Sequence, residues 1–188
     1  MKGKIDIKDH DSCGTGVLFN KNNEFRHSVI ERSLLSLSNM KHRGALSYDG
    51  MTTDGCGILL DIDRKFFQKK LLEEQKLILP NNFSIAVLMV QNNFDYGKIF
   101  LKICSKFNLK IIAEREVDAK KNILGELAQK SCPKIIQIFV APKKNNTASN
   151  HEPSFFKIKK YFDNNFCAEK EIYCCLLYTS DAADERSG

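Results

Sequence analysis

A cysteine near the start of the chain is followed directly by a glycine, and this pair could carry out nucleophilic chemistry. If residues 1–12 are removed, Cys13 carries both a thiol and a free α-amine. An α-amine has a pKa of about 7.7–8.0, so near neutral pH part of it is unprotonated and can accept the thiol proton, directly or through a water molecule. Gly14 leaves room for a substrate carbonyl to approach the resulting thiolate. The pair predicts an N-terminal nucleophile; the alternative from local sequence is an ordinary buried cysteine in a strand.

Other kinds of chemical site have little support in the sequence. The Gly14-Thr15-Gly16 run lacks the third glycine of a dinucleotide-binding loop, because Phe19 stands at that position, and no Walker pattern occurs. The four histidines form no His-x-x-x-His pair, and the cysteines form no Cys-x-x-Cys pair. We therefore expect neither a phosphate loop nor a metal site in this chain.

Residues 42–57 are rich in glycine and charge, which is typical of an ordered loop. The segment contains His42-Arg43-Gly44-Ala45, then Asp49-Gly50, then Asp54-Gly55-Cys56-Gly57. Glycine reaches backbone angles that cost other residues free energy, and aspartate accepts hydrogen bonds from neighbouring amides in turns. We expect the glycines and aspartates to shape the loop. His42 is expected to be a hydrogen-bonding residue of the loop, because the α-amine of Cys13 already provides the base.

The Cys13–Val17 run, read together with the 42–57 loop, resembles the start of the glutaminase domain of the glutamate synthase large subunit. That domain is a class II glutamine amidotransferase, one of the N-terminal-nucleophile hydrolases. Val17, Cys56, Glu114 and Asp118 depart from the Phe, Ala, Trp and Pro of the family pattern. The resemblance extends over residues 12–175 through weaker matches in the same order: Phe66-Phe67, Arg115-x-Val117, Leu124-Gly125, Pro133-x-Ile135-x-Gln137 and Ile172-Tyr173-Cys174.

The resemblance implies a reaction and a fold. Cys13 would attack the side-chain amide of L-glutamine, releasing ammonia, and water would hydrolyse the thioester to glutamate. Arg43 would lie beside the nucleophile, where a cation favours the thiolate; a structural salt bridge within the loop is the alternative. The implied fold is α+β, a four-layer α/β/β/α sandwich with antiparallel sheets. In the full-length enzyme, ammonia would pass to 2-oxoglutarate on a further part of the chain carrying FMN and an iron–sulfur cluster. No cofactor is expected on residues 1–188.

Several family motifs are not found in these 188 residues. They are the Arg-Tyr-Ser-Thr-Asn-Thr run that binds the glutamine carboxylate, the His-Asn-Gly-Glu run of the oxyanion hole, and the acidic residue that holds the glutamine α-amine. Losing even one oxyanion donor typically costs ~10²–10³ in rate, so we expect these residues alone to be inactive. We expect a leader at 1–12, the N-terminal part of the domain at 13–175 and a non-native tail at 176–188, where the earlier Lys, Asn and Phe bias is lost. The sandwich would then be incomplete on its C-terminal side, and the substrate-binding residues would lie beyond it.

Hydrophobic periodicity predicts a chain that mixes helices and strands. The first predicted helix begins with a capping-box pattern formed by Ser28 and Glu31. Periodicity alone leaves open whether the strands pair in parallel or antiparallel fashion. Strands are expected at 13–19, 58–62, 83–90, 110–114, 135–140 and 171–177, and helices at 28–41, 65–74, 95–107, 125–130 and 152–166.

Composition indicates which partners and which cellular compartment suit the chain. The net charge is +6, but the lysines are scattered among acidic residues, so a solvated basic surface is favoured over nucleic-acid binding. Seven cysteines, an odd number at wide spacings, argue against a disulfide framework and indicate a reducing compartment, for which we expect the cytoplasm. No apolar run is long enough to span a membrane.

Two rival interpretations stay open at this point. One is another class II glutamine amidotransferase, of the asparagine, aminosugar or purine pathway. The other is a non-catalytic α/β binding module in which Cys13 is buried and residues 1–12 stay attached.

Overall fold

A computed structural model describes residues 14–22, 27–53, 55–60, 63–91, 94–143, 152–166 and 172–178. The chain divides into two compact units, Met1–Leu59 and Leu60–Gly188. Helices and antiparallel strands are both present, which confirms the α+β character of the chain. Within the parts of the chain described, no helix combines the length and the apolar character needed to cross a membrane.

The described residues of the first unit form one helix, α1 (His27–Asn39), followed by a 3₁₀ turn (Lys41–Arg43). Because α1 begins at His27, Ser28 lies inside the first turn and not at the N-cap, and the predicted capping box is wrong. Glu31 instead lies 3.8 Å from the imidazole of His27, one turn before it. The predicted helix over 28–41 is otherwise confirmed.

Two strands predicted in this part of the chain are not formed by the described residues. Residues 14–20 and 55–60 have no regular structure, while Cys13 and residues 61–62 lie outside the described residues. Their sequences have strand propensity, but a strand also needs a partner for its backbone hydrogen bonds. Val17 and Leu59 are 84% and 69% exposed, so packing does not supply that constraint either.

The second unit alternates helices and strands. The predictions for this part are confirmed to within two residues at each end. The elements are α2 (Arg64–Gln75), β1 (Ser84–Val90), α3 (Tyr96–Lys106), β2 (Leu109–Glu116), a 3₁₀ turn (Lys121–Ile123), α4 (Glu126–Ser131), β3 (Lys134–Pro142), α5 (Glu152–Phe166) and β4 (Ile172–Tyr178). Strand β4 includes residues 176–178, the first three of the predicted non-native tail; residues 179–188 lie outside the described residues.

The four strands form one sheet in the order β2-β3-β1-β4. All three pairings are antiparallel, which settles the question that periodicity left open. The register of β2 against β3 shifts between Ile111 and Ala113, so Ile112 occupies a bulge. Beyond this bulge Arg115 stands directly opposite Gln137.

Side chains on the two faces of the sheet belong to two separate cores. On the first face, Leu88 and Ile138 pack with Phe100 of α3 and Phe162 of α5 in one buried cluster. On the second face, a smaller cluster combines α2 and the segment after it with three strand residues. Its members are Leu71, Leu79, Phe83, Ile85, Ala113 and Phe139.

Phe139 is the centre of the second core. Its ring lies 5.6 Å from that of Phe67 and 6.0 Å from that of Phe83, centroid to centroid, and it is fully buried. Phe67 and Phe83 come from α2 and from the approach to β1. Phe139 therefore connects the sheet to the helix that covers its second face.

We expect Phe139→Ala to lower the free energy of unfolding by about 3–5 kcal/mol, because it removes buried apolar surface and leaves a cavity. Phe66→Ala is the matched control, since Phe66 is 54% exposed, and it should cost well under half as much. Urea titration followed by circular dichroism measures both. Equal losses for the two variants would contradict the placement of Phe139 at the centre of this core.

Candidate active-site loop

The predicted nucleophile, Cys13, lies outside the described residues, so the structure does not test its geometry. The residues that follow it, 14–19, are all exposed. A Cβ added at Gly16 would meet nothing within 4 Å, so the backbone there is open to approach.

The second predicted site residue, Arg43, is the last residue of the 3₁₀ turn that follows α1. Its backbone is described, and the structure gives no test of the role predicted for its guanidinium. The turn is closed by the amide of Gly44, which donates to the carbonyl of Lys41 at 3.2 Å. His42 places its Nδ1 3.1 Å from the carbonyl oxygen of Asn39, which confirms its prediction as a hydrogen-bonding residue of the loop.

The loop after Arg43 closes on itself. Leu46 and Thr53 form an isolated antiparallel bridge, and the amide of Ser47 donates to the carbonyl of Thr52 at 2.8 Å. Between them, the amide of Gly50 donates to the carbonyl of Ser47 at 3.0 Å, which is the bond of a β-turn. Gly50 has φ +65°, a left-handed conformation that favours glycine. The expected ordered loop is thus confirmed between residues 46 and 53.

Asp49 holds the turn with both of its carboxylate oxygens. Oδ1 accepts from the amide of Met51 at 3.0 Å and from the amide of Thr52 at 2.7 Å. Oδ2 accepts from the hydroxyl of Thr52 at 2.5 Å. Three donors on a single half-buried carboxylate therefore hold the turn in addition to its backbone hydrogen bonds. The sequence signal is Asp-Gly followed two residues later by threonine, and only the aspartate and glycine were read from it.

The loop continues through Gly55, Cys56 and Gly57, while Asp54 lies outside the described residues. A Cβ at either glycine would meet nothing within 4 Å, and the Cys56 thiol is exposed and free. Where the chain is described, no cluster of three or more His, Cys, Asp or Glu side chains is arranged to hold a metal ion.

In the second unit, two of the weaker sequence motifs, Arg115-x-Val117 and Pro133-x-Ile135-x-Gln137, contact each other. Nη1 of Arg115 donates to Oε1 of Gln137 at 2.9 Å, and Nε of Arg115 donates to Oε2 of Glu74 at 2.8 Å. Oε1 of Glu74 also forms a salt bridge with Nζ of Lys70, at 3.1 Å. The hydrogen bonds from Arg115 and then from Lys70 hold the pKa of Glu74 below its ordinary value. Sequence reasoning did not identify Glu74, because no spacing rule connects α2 to a residue 41 positions away.

A second contact ties the same end of β2 to its neighbours. The Tyr96 hydroxyl donates to Oε1 of Glu114, and the Gln75 amide donates to the backbone carbonyl of Glu114 at 2.7 Å. Burial, and then the bond with Glu114, raise the pKa of Tyr96. These groups fasten α2 and α3 to the sheet, so we interpret this cluster as structural.

Comparison with known proteins identifies relatives over most of the chain. Residues 13–182 match the family described as "Glutamine amidotransferases class-II". "Glutamate synthase [NADH]" from Saccharomyces cerevisiae is 31% identical over 163 residues, which is 81% of this chain and 8% of that protein. "Ferredoxin-dependent glutamate synthase" from Pyropia yezoensis is 32% identical over 180 residues, 90% of this chain and 12% of that protein. "Glutamate synthase [NADPH] large chain" from Bacillus subtilis is 29% identical over 165 residues, 83% of this chain and 10% of that protein. The chain thus spans between 8% and 12% of the length of these relatives.

Replacing Asp49 by alanine should loosen the turn while leaving the sheet intact. Hydrogen bonds to a charged group are worth about 1.5–3 kcal/mol, so the amides of Met51 and Thr52 should exchange with solvent at least ~10-fold faster. Asp49→Asn, which keeps an acceptor oxygen, should cause a smaller increase. NMR-detected amide exchange measures both, with the amides of β1 as an internal reference. Unchanged exchange in the alanine variant would show that other contacts order the loop.

The Glu74–Arg115 pair predicts a pH-dependent stability. A carboxylate whose pKa is lowered by folding stabilises the fold above its unfolded pKa, about 4.3, and that contribution is lost as the pH falls through the lower folded pKa. Glu74→Gln should therefore be less stable than the natural chain at pH 7, and the two should converge at acidic pH. Glu73→Gln on the same helix is the control, since Glu73 faces Lys69 at a longer 3.9 Å. Urea midpoints from pH 7 to pH 3 test this, and a gap that persists at the acid end would contradict it.

Proposed function

Because the chain belongs to the class II glutamine amidotransferases, whose family match covers residues 13–182, we propose that it hydrolyses glutamine to glutamate and ammonia with Cys13 as the nucleophile, as part of a glutamate synthase. The observation that carries the proposal is the family match itself, which begins at Cys13. The ordered loop between residues 46 and 53 adds support, since the resemblance rests on the same segment.

The proposed reaction uses the α-amine of Cys13 as the base. Once residues 1–12 are removed, this amine accepts the thiol proton, and the thiolate adds to the side-chain amide carbon of L-glutamine. The C–N bond then breaks, ammonia leaves with a proton from the α-ammonium group, and a thioester remains. Water attacks the thioester, glutamate leaves and the thiol is restored. No oxidant or reductant enters this half of the reaction.

Arg43 is proposed to lie beside the Cys13 thiol. A guanidinium keeps its charge throughout the physiological pH range, so it favours the thiolate without taking part in proton transfer. The 3₁₀ turn and the Asp49 turn that follows it restrict the backbone on either side of Gly44. The guanidinium must be held in one position to favour the thiolate, because the charge of a mobile, solvent-exposed side chain would be screened by water and salt.

The three relatives quoted above are all named as glutamate synthases, which favours this enzyme over the asparagine, aminosugar and purine-pathway amidotransferases. In the complete enzyme, we propose that the ammonia aminates 2-oxoglutarate on the remainder of the glutamate synthase chain, where FMN and an iron–sulfur cluster supply electrons. Both cofactors are proposed for that remainder of the chain and not for residues 1–188. We also propose a cytoplasmic location, in keeping with the odd number of cysteines.

For the complete domain, we propose the four-layer α/β/β/α sandwich. In that arrangement, α3 and α5, which pack on the first face of the sheet, would form one α layer, and the sheet itself would form one β layer. Its second face is covered only in part by α2 and the segment after it within the described residues, and Tyr173 on that face is 51% exposed. A second sheet packed on this open face would bury the remaining apolar side chains.

Cys13→Ala in the full-length polypeptide encoded by the gene should lower glutamine hydrolysis by at least ~10³-fold, because no other group replaces the nucleophile. Cys132→Ser is the control, since that half-buried thiol lies between α4 and β3, and it should keep most of the activity. Glutamate release measures both. Full activity of the alanine variant would rule out the proposed nucleophile.

Mass spectrometry of the same protein from its native host provides an independent check. A mature chain that starts at Cys13 supports the nucleophile. An intact Met1 on folded protein would favour the non-catalytic binding module.

Replacing Arg43 should change the pH dependence of the reaction. Loss of the cation in Arg43→Gln raises the thiol pKa, so the acid limb of the kcat/KM profile should move to higher pH, whereas Arg43→Lys should keep it near its original position. The measurement is kcat/KM for glutamine from pH 5 to pH 9. If the limb stays fixed and only the thermal midpoint falls, Arg43 forms a structural salt bridge instead.

A further inference from the structure

We draw no further inference here: the strongest candidate, the open apolar groove that Ile78, Leu79 and Pro80 form with Lys110, Ile111 and Ile112 of strand β2, carries nothing because nothing in the structure shows what covers it.

Discussion

Strand β1 is apolar on both faces, and the rest of the second unit is arranged to cover it. An antiparallel strand commonly leaves one face to water, but here Ile85 and Leu88, which point to opposite faces, are both buried. One layer of helices cannot satisfy this constraint. Within the described residues, the first face is therefore covered by α3 and α5, and the second is covered in part by α2 with the segment that connects it to β1. Placing β1 between β3 and β4 completes its backbone hydrogen bonding as well.

Cover on the second face diminishes along the strands. Ile85 and Phe139, which are paired across β1 and β3, are both buried. Two residues before Phe139 on β3, Gln137 receives a hydrogen bond from Arg115. Further along the same face, Tyr173, which is paired with Met89, is half exposed. The ion pair of Arg115 with Glu74 thus stands between the dry and the open parts of the face. A charged pair is tolerated there because its remaining hydrogen-bonding groups reach water, whereas full burial would carry a large desolvation cost. Among the described residues, the second face is therefore buried at one end of the sheet and partly exposed at the other.

The second unit could be predicted from the sequence because its strands and helices have strong periodic patterns of their own. The run from Ser84 to Val90 is apolar enough to be recognised without its partners. The strands expected at 13–19 and 58–62 rested on propensity alone, and propensity does not form a strand where no ladder partner is in place. Strand order could not be predicted either, since it depends on pairings such as Arg115 with Gln137, which are far apart in sequence. In the loop, the sequence indicated a turn at the aspartate and glycine. It could not indicate that Asp49 accepts hydrogen bonds from two amides, because the positions of those amides depend on the turn itself.

The backbone hydrogen bonds within the loop limit which of its amides could assist catalysis. Each backbone amide has one proton to donate, and those of Ser47, Gly50, Met51 and Thr52 are all committed within the loop. Stabilising a tetrahedral oxyanion requires donors that point at the substrate and are otherwise unoccupied. These four amides cannot meet that requirement without dismantling the turn. For an amidotransferase, the oxyanion donors must therefore be groups other than these four amides.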